Sequence, residues 1–153
     1  MREILFRGQT RRKGEKVRMD GSPVESNWVY GGVLKGNGDH SIIYQTEPDI
    51  EKKVVYTDTL GQFTGLTDKN GTKIFEGDIV KFKHGDEFDK KIYYRNYAVE
   101  FINTYVTYGL RLRNGSIHFP FKKATALQHD AEVIGNIYDN PELIGETENV
   151  KEE

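Results

Sequence analysis

The chain has 153 residues, 36% of them hydrophobic and 30% charged, with a formal net charge of −2. That length suits one domain or two small lobes with a real core. The absence of cysteine excludes disulfides, thiolate nucleophiles and cysteine-ligated zinc, and no apolar run approaches the roughly 20 residues that span a bilayer.

Eight Phe, nine Tyr and one Trp supply core area and favour strands, which argues against disorder. Sixteen Gly with four Pro point to many tight turns, as a short-stranded β protein needs. The N-terminus lacks the apolar centre of a signal peptide, so the expected location is cytoplasmic. Charge is unevenly placed. Residues 1–19 carry seven basic and two acidic side chains, a local charge of +5, and residues 139–153 carry one basic and six acidic, a local charge of −5. Such polarity fits a nucleic-acid arm with an acidic tail, and equally an attraction between two ends or two subunits.

In chain order, residues 3–7 alternate around Ile4 and Phe6 and predict a first strand. Residues 8–16 are polar and basic and read as an exposed loop or hairpin. Residues 27–35 and 41–45, joined across Gly36, Asn37, Gly38 and Asp39, predict a hairpin. Residues 46–53 admit one helical turn, with Pro48 near its start. Val54, Val55 and Tyr56 read as a strand.

Residues 62–82 are the best-patterned stretch. Asp68-Lys69-Asn70-Gly71 is a turn signal, because Asn and Gly accept positive φ at little cost. Phe63 and Leu66 precede it, and Ile74 and Phe75 follow it. After a second corner at Glu76-Gly77-Asp78, Val80 and Phe82 alternate with Lys81 and Lys83, the period of a half-buried strand.

Residues 84–91 are hydrophilic and read as a mobile loop. Residues 92–102, 109–113 and 116–121 predict strands, with Asn114-Gly115 as a hairpin turn. Residues 122–131 admit another helical turn, residues 132–138 predict the last core strand, and the acidic residues beyond Ile144 predict a frayed tail.

Gln62-Phe63-Thr64-Gly65-Leu66, Asp68-Lys69-Asn70-Gly71 and Glu76-Gly77-Asp78-Ile79-Val80 together resemble the signature of the YopX family of bacteriophage and prophage proteins. The opening Arg2-Glu3-Ile4 to Phe6-Arg7, the Trp28-Val29-Tyr30-Gly31 segment and residues 132–143 resemble the same family in the same order. The resemblance implies a small, mostly β, phage-encoded protein in a bacterial host, and it brings no catalytic residues. Strand count and order, supported by the resemblance, predict a mainly β fold with little helix. A β-hairpin lobe is expected at 1–75, a five-stranded SH3-like barrel at 76–144 and a flexible acidic tail at 145–153.

Residue by residue, little chemistry emerges. No two of His40, His84, His118 and His129 are close enough in sequence to suggest a metal site. Asp68, Glu76 and Asp78 read as turn supports rather than an acid–base pair. Asp86, Glu87 and Asp89 lack the spacing of a calcium loop. The glycines at 31–38 lack the Gly-Lys-Ser/Thr of a phosphate loop. No catalytic, cofactor or metal residue is therefore expected, and the chain reads as a non-enzyme.

The feature with functional weight is the basic set Arg7, Arg11, Arg12, Lys13, Lys16 and Arg18, with Trp28 and Tyr30 as exposed aromatics. It suits a solvated strand edge, a partner or subunit contact, or nucleic-acid phosphates with stacked bases. The leading expectation is a phage accessory protein that binds another protein or itself, with nucleic-acid binding as the alternative and no membrane partner.

Overall fold

The structure, a computed structural model, describes residues 3–10, 20, 28–34, 36, 38–45, 49–85, 91–102, 107–111, 117–120, 129–145 and 147–151. Twelve strands are assigned among them, all pairing antiparallel where register is defined. The fold is mainly β, in two sheets. The chain divides into two compact units, Met1–Phe63 and Thr64–Glu153.

The first unit contains β1 (Phe6–Gln9), β2 (Trp28–Leu34), β3 (His40–Gln45), β4 (Glu51–Tyr56), a 3-10 turn at Thr57–Thr59 and the start of β5 (Gly61–Thr67). The sheet order is β4-β3-β2-β1-β5. Val29, Ile43 and Val55 form its buried core, with Val33 and Leu60 packed against them. Gly8 is needed here, because a Cβ at that position would lie 2.8 Å from Val55 Cγ2. The buried Thr59 hydroxyl accepts from the Gln9 amide at 2.8 Å and donates to the Tyr56 carbonyl at 2.7 Å, fixing the 3-10 turn to β1.

The β2–β3 hairpin forms as its sequence predicts. Two local expectations do not hold. Residues 3–5 lie outside any strand, and β1 begins at Phe6. The helical turn allowed at 46–53 is not helical where the chain is described, because Glu51, Lys52 and Lys53 begin β4 and pair with Gln45, Tyr44 and Ile43. β4 is the edge of this sheet, where exposed lysines are favoured because they discourage pairing with another chain.

The second unit holds β6 (Lys73–Phe75), β7 (Asp78–Gly85), β8 (Lys91–Ile102), β9 (Thr107–Arg111), β10 (Ile117–Pro120), β11 (Ala131–Asn136), a 3-10 turn at Pro141–Leu143 and β12 (Thr147–Lys151). The sheet order is β10-β9-β8-β7-β11. The long β8 is paired along both edges. β7 lies along one, while β9 takes Ala98 to Ile102 and β12 takes Lys91 to Arg95 along the other. Ile74, Val80, Phe82, Tyr97, Val99, Tyr108, Leu110 and Ala131 make the core. The alternation read in β7 holds, with Val80 and Phe82 buried and Lys81 and Lys83 turned away from them.

The expected SH3-like barrel is not seen, because the sheet stays open among the described strands. The reason lies at the outer edge of β11. The backbone groups that a closing strand would use, the Ala131 carbonyl and the Val133 amide, are taken by the Asp68–Gly71 turn. Lys69 N donates to Ala131 O at 3.0 Å, and Val133 N donates to Asp68 Oδ2 at 2.9 Å. These bonds tie the hairpin to β11 in the second unit, whereas composition suggested a division after residue 75. The tail also differs from expectation. Thr147 to Lys151 form a strand on β8, since backbone pairing does not require apolar side chains.

Asp68 is 3% exposed and its carboxylate serves both ends of this contact. Oδ1 accepts from the amides of Asn70 and Thr72, each at 2.9 Å, while Oδ2 holds Val133. Gly71, at φ 79°, supplies the left-handed residue that closes the turn. Asp68→Ala leaves three amides without that acceptor and is expected to lower the unfolding free energy by about 3 kcal/mol. Asp68→Asn keeps one carbonyl oxygen and is expected to cost about half as much. Urea unfolding measures both, and equal losses for the two variants would contradict the divided role of the carboxylate.

Candidate functional site

Of the six basic residues singled out in the sequence, Arg11, Arg12, Lys13, Lys16 and Arg18 lie outside the described residues. Arg7 is in β1, only 6% exposed, with its guanidinium 4.3 Å from the centre of the Trp28 ring. Burial in that stack withdraws most of Arg7 from solvent. Trp28 is half-buried and Tyr30 is 43% exposed.

Strand register in the first unit builds a broad second face from residues scattered in the sequence. Gly32 is opposite Tyr44, Leu34 opposite Ile42, Ile42 opposite Val54, and Tyr44 opposite Lys52. Directly opposed residues in antiparallel strands project to the same side. Leu34, Ile42 and Val54 thus form an aliphatic row across three strands, on the face opposite the Val29, Ile43 and Val55 core. Leu34 and Val54 are 55% and 57% exposed. Aromatic contacts flank the row. The His40 and Tyr56 rings lie 4.7 Å apart at one end, and Lys52 Nζ sits 5.4 Å from the Tyr44 ring centre at the other.

The second unit offers two polar groupings. On the outer face of its sheet, Lys69, Lys81, Lys83, Tyr94, His129, Asp130 and Glu132 line a cleft of about 360 Å³. Lys81 Nζ lies 4.9 Å from the centre of the Tyr94 ring, and Lys69 pairs with Glu132 at 3.5 Å. On the core side, His84 Nε2 and the Tyr97 hydroxyl are 2.8 Å apart, and the His84 ring stacks on Tyr93 at 4.7 Å. Burial pushes the Tyr97 phenol above its usual pKa, and the neighbouring Arg95 guanidinium opposes the shift. His84 was expected in a mobile loop. It belongs to β7 instead, because the ring packs with Phe82, Tyr93 and Tyr97. Residues 86–90 of that expected loop lie outside the described residues.

The carboxylates of the signature are tied to backbone. Asp68 holds three amides, and Asp78 Oδ2 accepts from Phe75 N at 2.7 Å. Glu76 differs. Burial pushes its carboxyl above the ordinary value, the Glu100 charge adds to this, and a hydrogen bond from the Phe101 amide pulls the other way without prevailing. Among the described residues no group of three or more His, Asp or Glu is arranged to hold a metal ion. Nor is any described helix long and apolar enough to cross a membrane.

The sequence profile described as YopX protein matches residues 9–145. The chain belongs to the YopX family. The match runs from Gln9, the last residue of β1, through the signature hairpin and β11 to the 3-10 turn that follows. Among solved structures, this YopX-family chain is similar to protein EF1440 from Enterococcus faecalis. The two are 20% identical, and the alignment covers 92% of this chain and 97% of that one at a TM-score of 0.47. No curated protein matches.

Glu76 gives a pH signature. Its native pKa lies above the unfolded value, so the native state holds the proton more tightly. The associated stability is complete below the ordinary carboxylate pKa and is lost as pH rises through the raised one. Glu76→Gln keeps an acceptor for the Phe101 amide and cannot ionise. Its melting temperature relative to the wild type is expected to be higher at about pH 7 than near pH 4. Thermal melts at the two pH values measure the difference, and a constant or reversed difference would contradict the assignment.

Proposed function

We propose that this protein is a non-enzymatic accessory protein of phage or prophage origin that acts by binding protein, and that its partner is a second copy of the same chain. The observation that carries this reading is the aliphatic row Leu34, Ile42 and Val54 on the outward face of the first sheet. Apolar side chains lined up across three strands lose free energy to water, and contiguous exposed apolar patches mark interaction surfaces. Covering side chains such as Leu34 and Val54 contributes on the order of 1 kcal/mol each. Tyr56 and Tyr44 beside the row are of a kind enriched at interfaces.

A second copy is favoured on two grounds. A single patch of this kind can meet its own image across a two-fold axis, apolar centre against apolar centre. The chain also carries local charges of +5 at residues 1–19 and −5 at residues 139–153, so two copies attract each other through opposite ends. A second reading, nucleic-acid binding, is favoured by the pairing of Gln9 with Trp28. In sequence, the basic residues 11–18 lie between these two paired positions.

Leu34→Glu with Val54→Glu places two carboxylates in the row at positions already exposed, with little effect on the fold. Sedimentation equilibrium is expected to show concentration-dependent dimerisation of the wild-type chain and a monomer for the double variant. A wild-type monomer at high concentration would overturn the reading, as would a dimer indifferent to the substitutions. Oligonucleotide binding abolished by the same substitutions would favour the second reading.

A further inference from the structure

We infer that the outer-face cleft of the second unit is a binding site for a phosphate group carried as a monoester or a phosphodiester. The cleft brings three ammonium groups and an imidazole, from Lys69, Lys81, Lys83 and His129, against two carboxylates, Asp130 and Glu132. Lys69 and Glu132 offset each other at 3.5 Å. Among the described lining residues three lysines stand against two carboxylates, a net charge of +1 before the imidazole is counted. A concave wall of protein focuses such a field on an incoming anion.

Lys81 and Lys83 stand on the solvated face of the sheet and not at its edge. Exposed lysines commonly guard the edge strand of a sheet. β7 is not an edge, since it lies between β8 and β11. Lys81 and Lys83 take successive outward positions on this interior strand. Register sets Tyr94 of β8 opposite Lys83 and Glu132 of β11 opposite Lys81. The Tyr94 ring lies 4.9 Å from Lys81 Nζ and orients that ammonium.

Lys69 arrives from the other side of β11. Its own amide is bonded to Ala131 O at 3.0 Å, and the neighbouring Asp68 side chain is bonded to Val133 N at 2.9 Å. The cationic side chains thus stand on paired strands and a hydrogen-bonded turn. Such support suits recognition, because little ordering remains to be done on binding. A volume of about 360 Å³ admits a phosphate with an attached sugar or base.

The test uses the full chain and three probes at low salt: inorganic phosphate, a nucleoside monophosphate and a short fluorescent oligo(dT). The variants are Lys81→Ala with Lys83→Ala, Lys83→Arg, and a control pair in the first unit, Lys52→Ala with Lys53→Ala. Melting curves establish that each is folded. If the double variant is not, Lys83→Ala replaces it, since Lys83 is exposed.

The wild type is expected to bind at least one probe. The cleft variant should lose about tenfold or more in affinity, with a shallower dependence on salt, as expected when phosphate contacts are removed. Lys83→Arg and the control pair should stay near wild type. Binding of the small probes assigns the cleft to a free phosphate ester, and preference for oligo(dT) assigns it to a nucleic-acid backbone. Failure of the wild type to bind any of the three overturns the inference, as does a loss equally large in the control pair. Self-association through Leu34 and Val54 is read by a different measurement and can stand or fall without this site.

Discussion

The carboxylate of Asp68 holds backbone amides from two segments that are 65 positions apart in the chain. Two of them, from Asn70 and Thr72, shape the turn that carries it, and the third belongs to Val133 of β11. A buried carboxylate is costly unless its lone pairs are satisfied, and here the satisfying donors also specify geometry. The turn occupies the outer edge of β11, so the sheet neither extends nor closes there. The same contact fixes Lys69 over the cleft. Glycine completes the arrangement at the next corner. Gly77, at φ 91°, bonds to Val99 O at 2.9 Å and to Ile137 N at 2.8 Å, and a Cβ there would meet the Tyr138 ring at 3.0 Å.

The family signature is therefore a device for joining strands. Its apolar residues enter the core, its aspartates accept backbone amides and its glycines turn corners. Apart from Lys69 of the signature turn, which lines the cleft, the surfaces with functional promise use residues beside the signature or outside it. Leu34, Ile42 and Val54 come from three strands of the first unit, while Lys81, Lys83 and Tyr94 come from the outward phase of two strands in the second.

What was legible in the sequence follows the range of the forces involved. The Asp68–Gly71 turn, the β2–β3 hairpin and the alternation of β7 depend on neighbours a few residues away, and local pattern exposed them. β12 was hidden because its acidic composition resembles a solvated tail, while its pairing with β8 is a backbone matter. The start of β4 was hidden because Glu51, Lys52 and Lys53 are polar residues at a sheet edge. The cleft was hidden for a stronger reason, because Lys69 and His129 meet only through long-range pairing. The lysines of β7 gave a partial signal, readable as the outward phase of a strand but not as one wall of a cleft.

The order in which β8 acquires its neighbours has a consequence for synthesis of the chain. β7 precedes it, β9 follows it directly, and the residues of β12 come only after β11. Until those residues emerge from the ribosome, the backbone of Lys91 to Arg95 presents an uncovered edge on the side that β12 later occupies. A strand from another nascent chain could pair there by the same hydrogen bonds. The negative charge of the closing segment suits this interval, because acidic side chains on neighbouring copies repel each other while their own chain reaches its place.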